Sequence, residues 1–189
     1  MNIKVDQAVD AKGLACPMPI IRTKKAINEL NAGQVLEIQA TDKGSVADIQ
    51  AWAKSTGHQF LGTQVEDDVY RHYVRKSESG EIKEEITFPH AINNEELEKL
   101  LEGSGGIHIL DVREPAEFAF GRLKGSINIP LGDLEQRVGE LNPEDEIYLI
   151  CRTGYRSSMA AHFLTEQGFK QIKNVVPGMS QWTGSVERN

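Results

Sequence analysis

The chain has 189 residues, 39% of them hydrophobic and 26% charged, with a formal net charge of -7, a composition that excludes a disordered polypeptide. Residues 1–75 carry 9 basic and 9 acidic side chains and residues 76–189 carry the whole -7, so neither half has the net basic surface of direct nucleic-acid binding. No apolar run approaches the roughly 20 residues of a membrane span, and Met1-Asn2-Ile3-Lys4-Val5-Asp6 is charged where a secretory leader is apolar, so a cytoplasmic location and no membrane partner are expected.

Ile3, Val5 and Gln7 to Val9 predict a short strand. Cys16-Pro17-Met18-Pro19 then opens a helix, with Cys16 at its N-cap. Ile20, Thr23, Ile27 and Leu30 form one apolar face of that helix, and Asn31 to Gly33 end it. Proline is tolerated in a first turn because its N–H groups lack partners anyway. The positive helix end, with Lys12, Arg22, Lys24 and Lys25 close in sequence, predicts basic surroundings for Cys16. Taken alone, the motif also fits a plain helix start that includes a cysteine. Val35 to Ile38 read as a strand, Lys43 to Ser55 as a helix, and Gln59 to Val65 and Val69 to Val74 as two strands joined by Glu66-Asp67-Asp68. The order βαβαββ over residues 1–75 predicts an α+β two-layer sandwich.

Residues 76–85 are polar and charged, and read as a linker. The region 86–189 follows. Asn93-Asn94-Glu95-Glu96 supplies an N-cap and an acidic first turn for a helix through Leu97, Leu100 and Leu101. Ile107 to Leu110 and Ile147 to Ile150 are continuous apolar strands, Ser157 to Gln167 is a helix, and Val175-Val176 is a short strand. Apolar strands alternating with helices predict an α/β region whose parallel sheet is flanked by helices.

Two cysteines make no disulfide framework and are too few for a cysteine-based zinc site, and the five histidines show no ligand spacing, so no metal or cofactor is expected. Cys151 follows a strand and begins the run Cys151-Arg152-Thr153-Gly154-Tyr155-Arg156-Ser157-Ser158, read as a six-residue loop entering a helix. Ligands of parallel sheets bind beyond the carboxyl ends of the strands. The free N–H groups of a helix start, a glycine that turns the backbone, and Arg152 and Arg156 all favour an anion on sulfur. Arg152, Thr153, Gly154, Tyr155 and Arg156 are therefore the expected substrate-binding residues around a nucleophilic Cys151. A buried cysteine that only packs is the alternative. Cysteine phosphatases place five residues between the cysteine and the arginine; here there are four, which suits a smaller anion.

Four motifs carry a family resemblance over residues 86–189. They are Asp111-Val-Arg-Glu-Pro-Ala-Glu-Phe118, Gly121-Arg-Leu-Lys-Gly-Ser-Ile-Asn-Ile-Pro130, the Cys151 loop, and Gly178-Met-Ser-Gln-Trp182. In this order they resemble a single-domain rhodanese. The resemblance implies a persulfide on Cys151 and transfer of sulfur from thiosulfate or another persulfide to a thiol. Gly121-Arg122-Leu123 and Pro177-Gly178-Met179 depart from the family's usual Gly-His-Ile and Gly-Gly-Met. Both departures are expected to lie away from the nucleophile loop and to bear on substrate preference. Gly13-Leu-Ala-Cys-Pro-Met-Pro-Ile20, Ala40-Thr-Asp-Lys-Gly-Ser-Val-Ala-Asp-Ile49 and Ala51-Trp-Ala-Lys-Ser-Thr-Gly-His58 resemble the TusA sulfur-carrier family over residues 1–75. That resemblance implies a carrier role for Cys16, without cofactor or metal. Together the two imply a sulfur relay whose partners are small sulfur donors and thiol acceptors or other relay proteins. A docking or thiol-sensing module that reacts without turnover is the rival from another class. Asp111 and Arg113 are expected to form a structural ion pair, Trp52 and Trp182 to pack, and the histidines to take no part in catalysis.

Overall fold

The computed structural model describes residues 3–78, 88–103 and 106–188. The chain divides into two compact units, Met1–Ser79 and Gly80–Asn189. Residues 79–85 of the expected linker, and Ile86, lie outside the described residues.

The first unit comprises β1 (Gln7–Asp10), α1 (Met18–Glu29), β2 (Val35–Ala40), α2 (Ser45–Thr56), β3 (Gln59–Glu66) and β4 (Val69–Arg75). Its sheet has the order β1-β2-β4-β3, with β1 parallel to β2 and the other pairs antiparallel. The apolar stripe of α1 behaves as its spacing predicts. Ala26, Ile27 and Leu30 join Leu36 and Ile38 of β2, Ile49 and Ala53 of α2 and Val74 of β4 in one core. Thr23 is buried on that stripe because its hydroxyl donates to Pro19 O at 2.8 Å. Glu66 pairs with Val69, so the β3–β4 turn is the two residues Asp67 and Asp68, at φ 50° and 63°. That is the left-handed geometry a tight hairpin needs, and aspartate tolerates it. Ile3 and Val5 precede β1 rather than belonging to it. Lys76, expected to start the linker, still exchanges backbone hydrogen bonds with this unit: its N–H donates to Gln34 O and its C=O accepts from Gly33 N, both at 2.8 Å.

The second unit comprises β5 (Ala91–Asn93), α3 (Asn94–Glu102), β6 (His108–Asp111), α4 (Pro115–Phe120), β7 (Ile127–Asn128), α5 (Leu134–Arg137), β8 (Ile147–Ile150), α6 (Tyr155–Glu166) and β9 (Ile172–Val176). The five strands lie in the order β5-β9-β8-β6-β7, every pairing parallel. All four residues of β8 are buried because both faces of the sheet are covered. Ile147 and Leu149 meet Ala160, Ala161 and Leu164 of α6. Tyr148 and Ile150, pointing the other way, meet Leu97 of α3 and Leu123. A capping box between Asn93 and Glu96 opens α3, as the sequence predicts. The short elements β5, α4, β7 and α5 go beyond the sequence reading, β6 lies one residue later than expected, and β9 and α6 differ in where they start. β9 reaches back to Ile172, because Lys173 and Asn174 break the apolar run that marks a buried strand. α6 begins at Tyr155 rather than Ser157, so Arg156 lies in the helix and the loop is shorter than six residues.

Candidate functional site

Four strand ends build the surroundings of Cys151. The cysteine follows β8, and Gly154 caps α6 in the left-handed region at φ 98°. That conformation folds the chain back so that the Gly154 N–H donates to Cys151 Sγ at 3.1 Å. One helical turn on, the Ser157 hydroxyl donates to the same sulfur at 3.3 Å. Both donors and the cysteine are buried, and Cys151 has no exposed surface. A sulfur anion is thus met by an N–H, an O–H and the positive end of α6.

Arg156, expected to bind substrate, is paired with a carboxylate. Its terminal nitrogens donate to the two carboxylate oxygens of Glu117 at 2.8 and 2.9 Å, a buried two-pronged pair that ties α6 to α4. Arg156 therefore helps fix the helix start through its pair with Glu117. Of the other expected binding residues, Gly154 is buried, while Arg152, Thr153 and Tyr155 are half-buried around the turn. Asp111 and Arg113 form the expected structural pair, with Arg113 Nε 2.9 Å from Asp111 Oδ1.

The segment after β9 corrects another expectation. Pro177-Gly178-Met179 lies against the nucleophile loop, not away from it. Met179 N donates to Cys151 O at 2.9 Å and Ser180 N to Arg152 O at 2.8 Å. Gly178 sits at φ 75°, and a Cβ there would stand 2.5 Å from Cys151 O, so only glycine fits. Asn94, at the start of α3, holds Gly178 from the other side: its Nδ2 donates to Gly178 O at 2.9 Å and its Oδ1 accepts from Gly178 N at 3.2 Å. Asn174 of β9 donates to Gly154 O at 3.0 Å. Sequence reasoning missed Glu117, Asn94, Asn174 and Ser157. Asn174 left one signal, a polar residue inside a buried strand.

Cys16 contrasts with this site. It is exposed, and α1 is capped by Pro17, so Cys16 stands one residue before the cap it was expected to occupy. The basic surroundings are not found. Arg22 donates to Asp10 O, and Lys12 pairs with Asp10 and Gln39. The groups acting on the thiol are acidic. A hydrogen bond to the Asp48 carboxylate, on α2, pushes its pKa above the ordinary thiol value, and the charges of Asp48 and Asp42 add to that. The loops are pinned together where Gly13 N donates to Thr41 Oγ1 at 2.9 Å.

Trp52 and Trp182 pack against the two cores, as expected. His72 is buried, with its ring nitrogens each 2.8 Å from a hydroxyl, those of Ser45 and Thr63. Among the described residues no group of three or more histidine, cysteine, aspartate or glutamate side chains could hold a metal ion, and no helix is long and apolar enough to cross a membrane.

A buried cysteine that accepts two hydrogen bonds at a strand-to-helix turn of a parallel sheet, joined to a small α+β unit with an exposed cysteine, points to a thiol-chemistry protein of two parts. Comparison with known proteins names both parts. The sequence profile described as "Sulfurtransferase TusA" matches residues 7–76, and that described as "Rhodanese-like domain" matches residues 93–185. YrkF of Bacillus subtilis (strain 168), which bears the name "Putative sulfur carrier protein", is 50% identical over 185 residues, 98% of this chain and 100% of its own length. The sulfur carrier protein TusA of Allochromatium vinosum is 46% identical over 72 residues, 38% of this chain and 95% of its own. The crystal structure of a rhodanese-like domain protein from Staphylococcus aureus aligns with a TM-score of 0.51 and 28% identity, over 53% of this chain and 98% of that one. The chain belongs to the sulfur carrier family in which a TusA domain and a rhodanese-like domain share one polypeptide. Sulfur transfer is its general chemistry.

Proposed function

We propose that the protein is a cytoplasmic sulfurtransferase that takes sulfane sulfur from thiosulfate or a persulfide onto Cys151 and passes it to a thiol, with Cys16 as carrier. Residues 1–76 form the carrier domain and 86–189 the catalytic domain, with 77–85 between them. The observation that carries this reading is the pair of donors, Gly154 N–H and Ser157 O–H, aimed at one buried sulfur at the start of α6. In the loading step the Cys151 thiolate attacks the outer sulfur of thiosulfate. A Cys151 Sγ–S bond forms, the S–S bond of the donor breaks, and sulfite leaves with the electron pair. In the unloading step an acceptor thiolate attacks the outer sulfur of the persulfide, and Cys151 Sγ leaves as the thiolate. The persulfide's outer sulfur stands about 2 Å beyond Sγ, which extends the reach of a buried cysteine toward its acceptor.

Incubation with thiosulfate, followed by peptide mass spectrometry, tests this. One extra sulfur on the Cys151 peptide, with repeated release of product to a small thiol, is expected. Absence of that adduct would refute the enzyme reading, and a single stoichiometric reaction without turnover would leave a sensor. Labelling of Cys16 from thiosulfate is expected to vanish in Cys151→Ser. If it persists there, the relay is wrong.

A further inference from the structure

We propose that Ser157 is a catalytic residue, whose hydroxyl stabilises Cys151 Sγ as the leaving group when sulfur passes to the acceptor. The inference rests on the sulfurtransferase reading. Its basis is geometric. Ser157 Oγ lies 3.3 Å from Cys151 Sγ, and among the described residues this is the hydroxyl's one hydrogen bond. The side chain has no exposure, so water does not compete for it. Three neighbouring polar side chains have partners of their own. The Arg156 terminal nitrogens go to Glu117, the Ser158 hydroxyl accepts from Phe88 N at 3.1 Å, and Asn174 Nδ2 goes to Gly154 O. Ser157 aims a side-chain donor at the sulfur, in the position where the longer phosphatase loop carries its arginine.

In unloading, the acceptor sulfur bonds to the outer sulfur of the persulfide while the Sγ–S bond breaks. The electron pair of that bond passes to Sγ, and charge builds there between the Gly154 N–H and the Ser157 O–H. A donor whose bond strengthens as charge develops lowers the barrier rather than the ground state. Loading is the reverse in charge, since Sγ gives up its negative charge as it attacks. Ser157 thus assists the release half of the cycle more than the loading half.

The experiment uses the full chain with Ser157→Ala, Ser157→Val and Ser157→Thr. Single-turnover release of sulfur from the preloaded Cys151 persulfide to a small thiol is timed for each protein. Ser157→Ala and Ser157→Val are expected to release about tenfold more slowly, the range of one hydrogen bond to a charged group, with kcat/KM for thiosulfate little changed. Ser157→Thr keeps the hydroxyl and is expected to stay within about threefold of the parent. Threonine and valine have the same shape, so a packing effect moves both equally. Equal rates for those two variants overturn the inference. If the parent takes up no sulfur, the sulfurtransferase reading fails separately. The alkylation rates of Cys151 in the same four proteins then decide whether the hydroxyl supports the thiolate, by the same ordering.

Discussion

The sulfur of Cys151 has no exposure and accepts from an N–H and an O–H, whereas Cys16 is exposed and its thiol meets the carboxylate of Asp48. Donors stabilise an anion on sulfur; a carboxylate stabilises the neutral thiol. On the proposed reading the first site retains a persulfide and releases it on demand, and the second is an open station that binds a sulfur anion weakly. The two sites also differ in how they are assembled. The Cys151 turn is held by residues following β5, β6 and β9, so its geometry depends on the whole sheet. Cys16 depends on its own loop and the neighbouring start of α2.

Four perturbations sharpen or break this contrast. The largest effect is expected from Glu117→Ala, which leaves the buried Arg156 guanidinium without its carboxylate. Loss of one partner of a buried pair costs about 3–5 kcal/mol. Urea unfolding followed separately for each unit is expected to show that loss in the rhodanese-like unit and none in the carrier unit. An unchanged transition would mean that α4 does not hold the loop.

The second concerns pH. Burial drives the pKa of His72, in the carrier unit, from 6.5 down to about 4. The imidazole therefore binds its proton more readily in the unfolded chain. Stability is full above about pH 6.5 and is lost as pH falls toward about 4, by on the order of 3 kcal/mol. The slope in denaturant midpoint over that window is expected for the carrier unit and to flatten in His72→Gln. A slope of equal size in that variant would assign it to other groups.

Third, Gly178→Ala places a methyl against Cys151 O and forces an L-residue to φ 75°, worth about 1–3 kcal/mol of strain. Turnover is expected to fall by about tenfold, since displacing the loop displaces its donors. Gly139→Ala meets nothing within 4 Å and serves as the control, with turnover unchanged. Equal activities in the two variants would separate the Gly178 segment from the site.

The smallest effect is at Cys16. Asp48→Asn removes the charge that raises the thiol's pKa, so alkylation of Cys16 at neutral pH is expected to rise several-fold. Arg22→Gln is expected to change it little, because that guanidinium is engaged with Asp10 O. The reverse result would restore the basic surroundings that the sequence suggests.

The sequence alone determined the order of elements in the first unit, the main strands and helices and the parallel sheet of the second, and the placement of each cysteine where a strand gives way to a helix; the short elements β5, α4, β7 and α5 were not legible in it. These follow from side-chain period and from turn residues, which act over a few neighbours: the apolar stripe of α1, the four apolar residues of β8, Gly154 after Cys151. Only the tertiary structure decided which groups face the two sulfurs. Arg156 stands in the Cys151 run, yet Glu117, 39 positions away, pairs with it. Lys12 and Arg22 stand close to Cys16 in sequence, yet Asp48 reaches it through the packing of α2. Gly178 joins the nucleophile loop because β9 runs parallel beside β8 and ends at the same edge. Charge and hydrogen bonding act through space at a few ångströms, so a linear reading finds the two cysteines and their turns but cannot rank the groups that surround them.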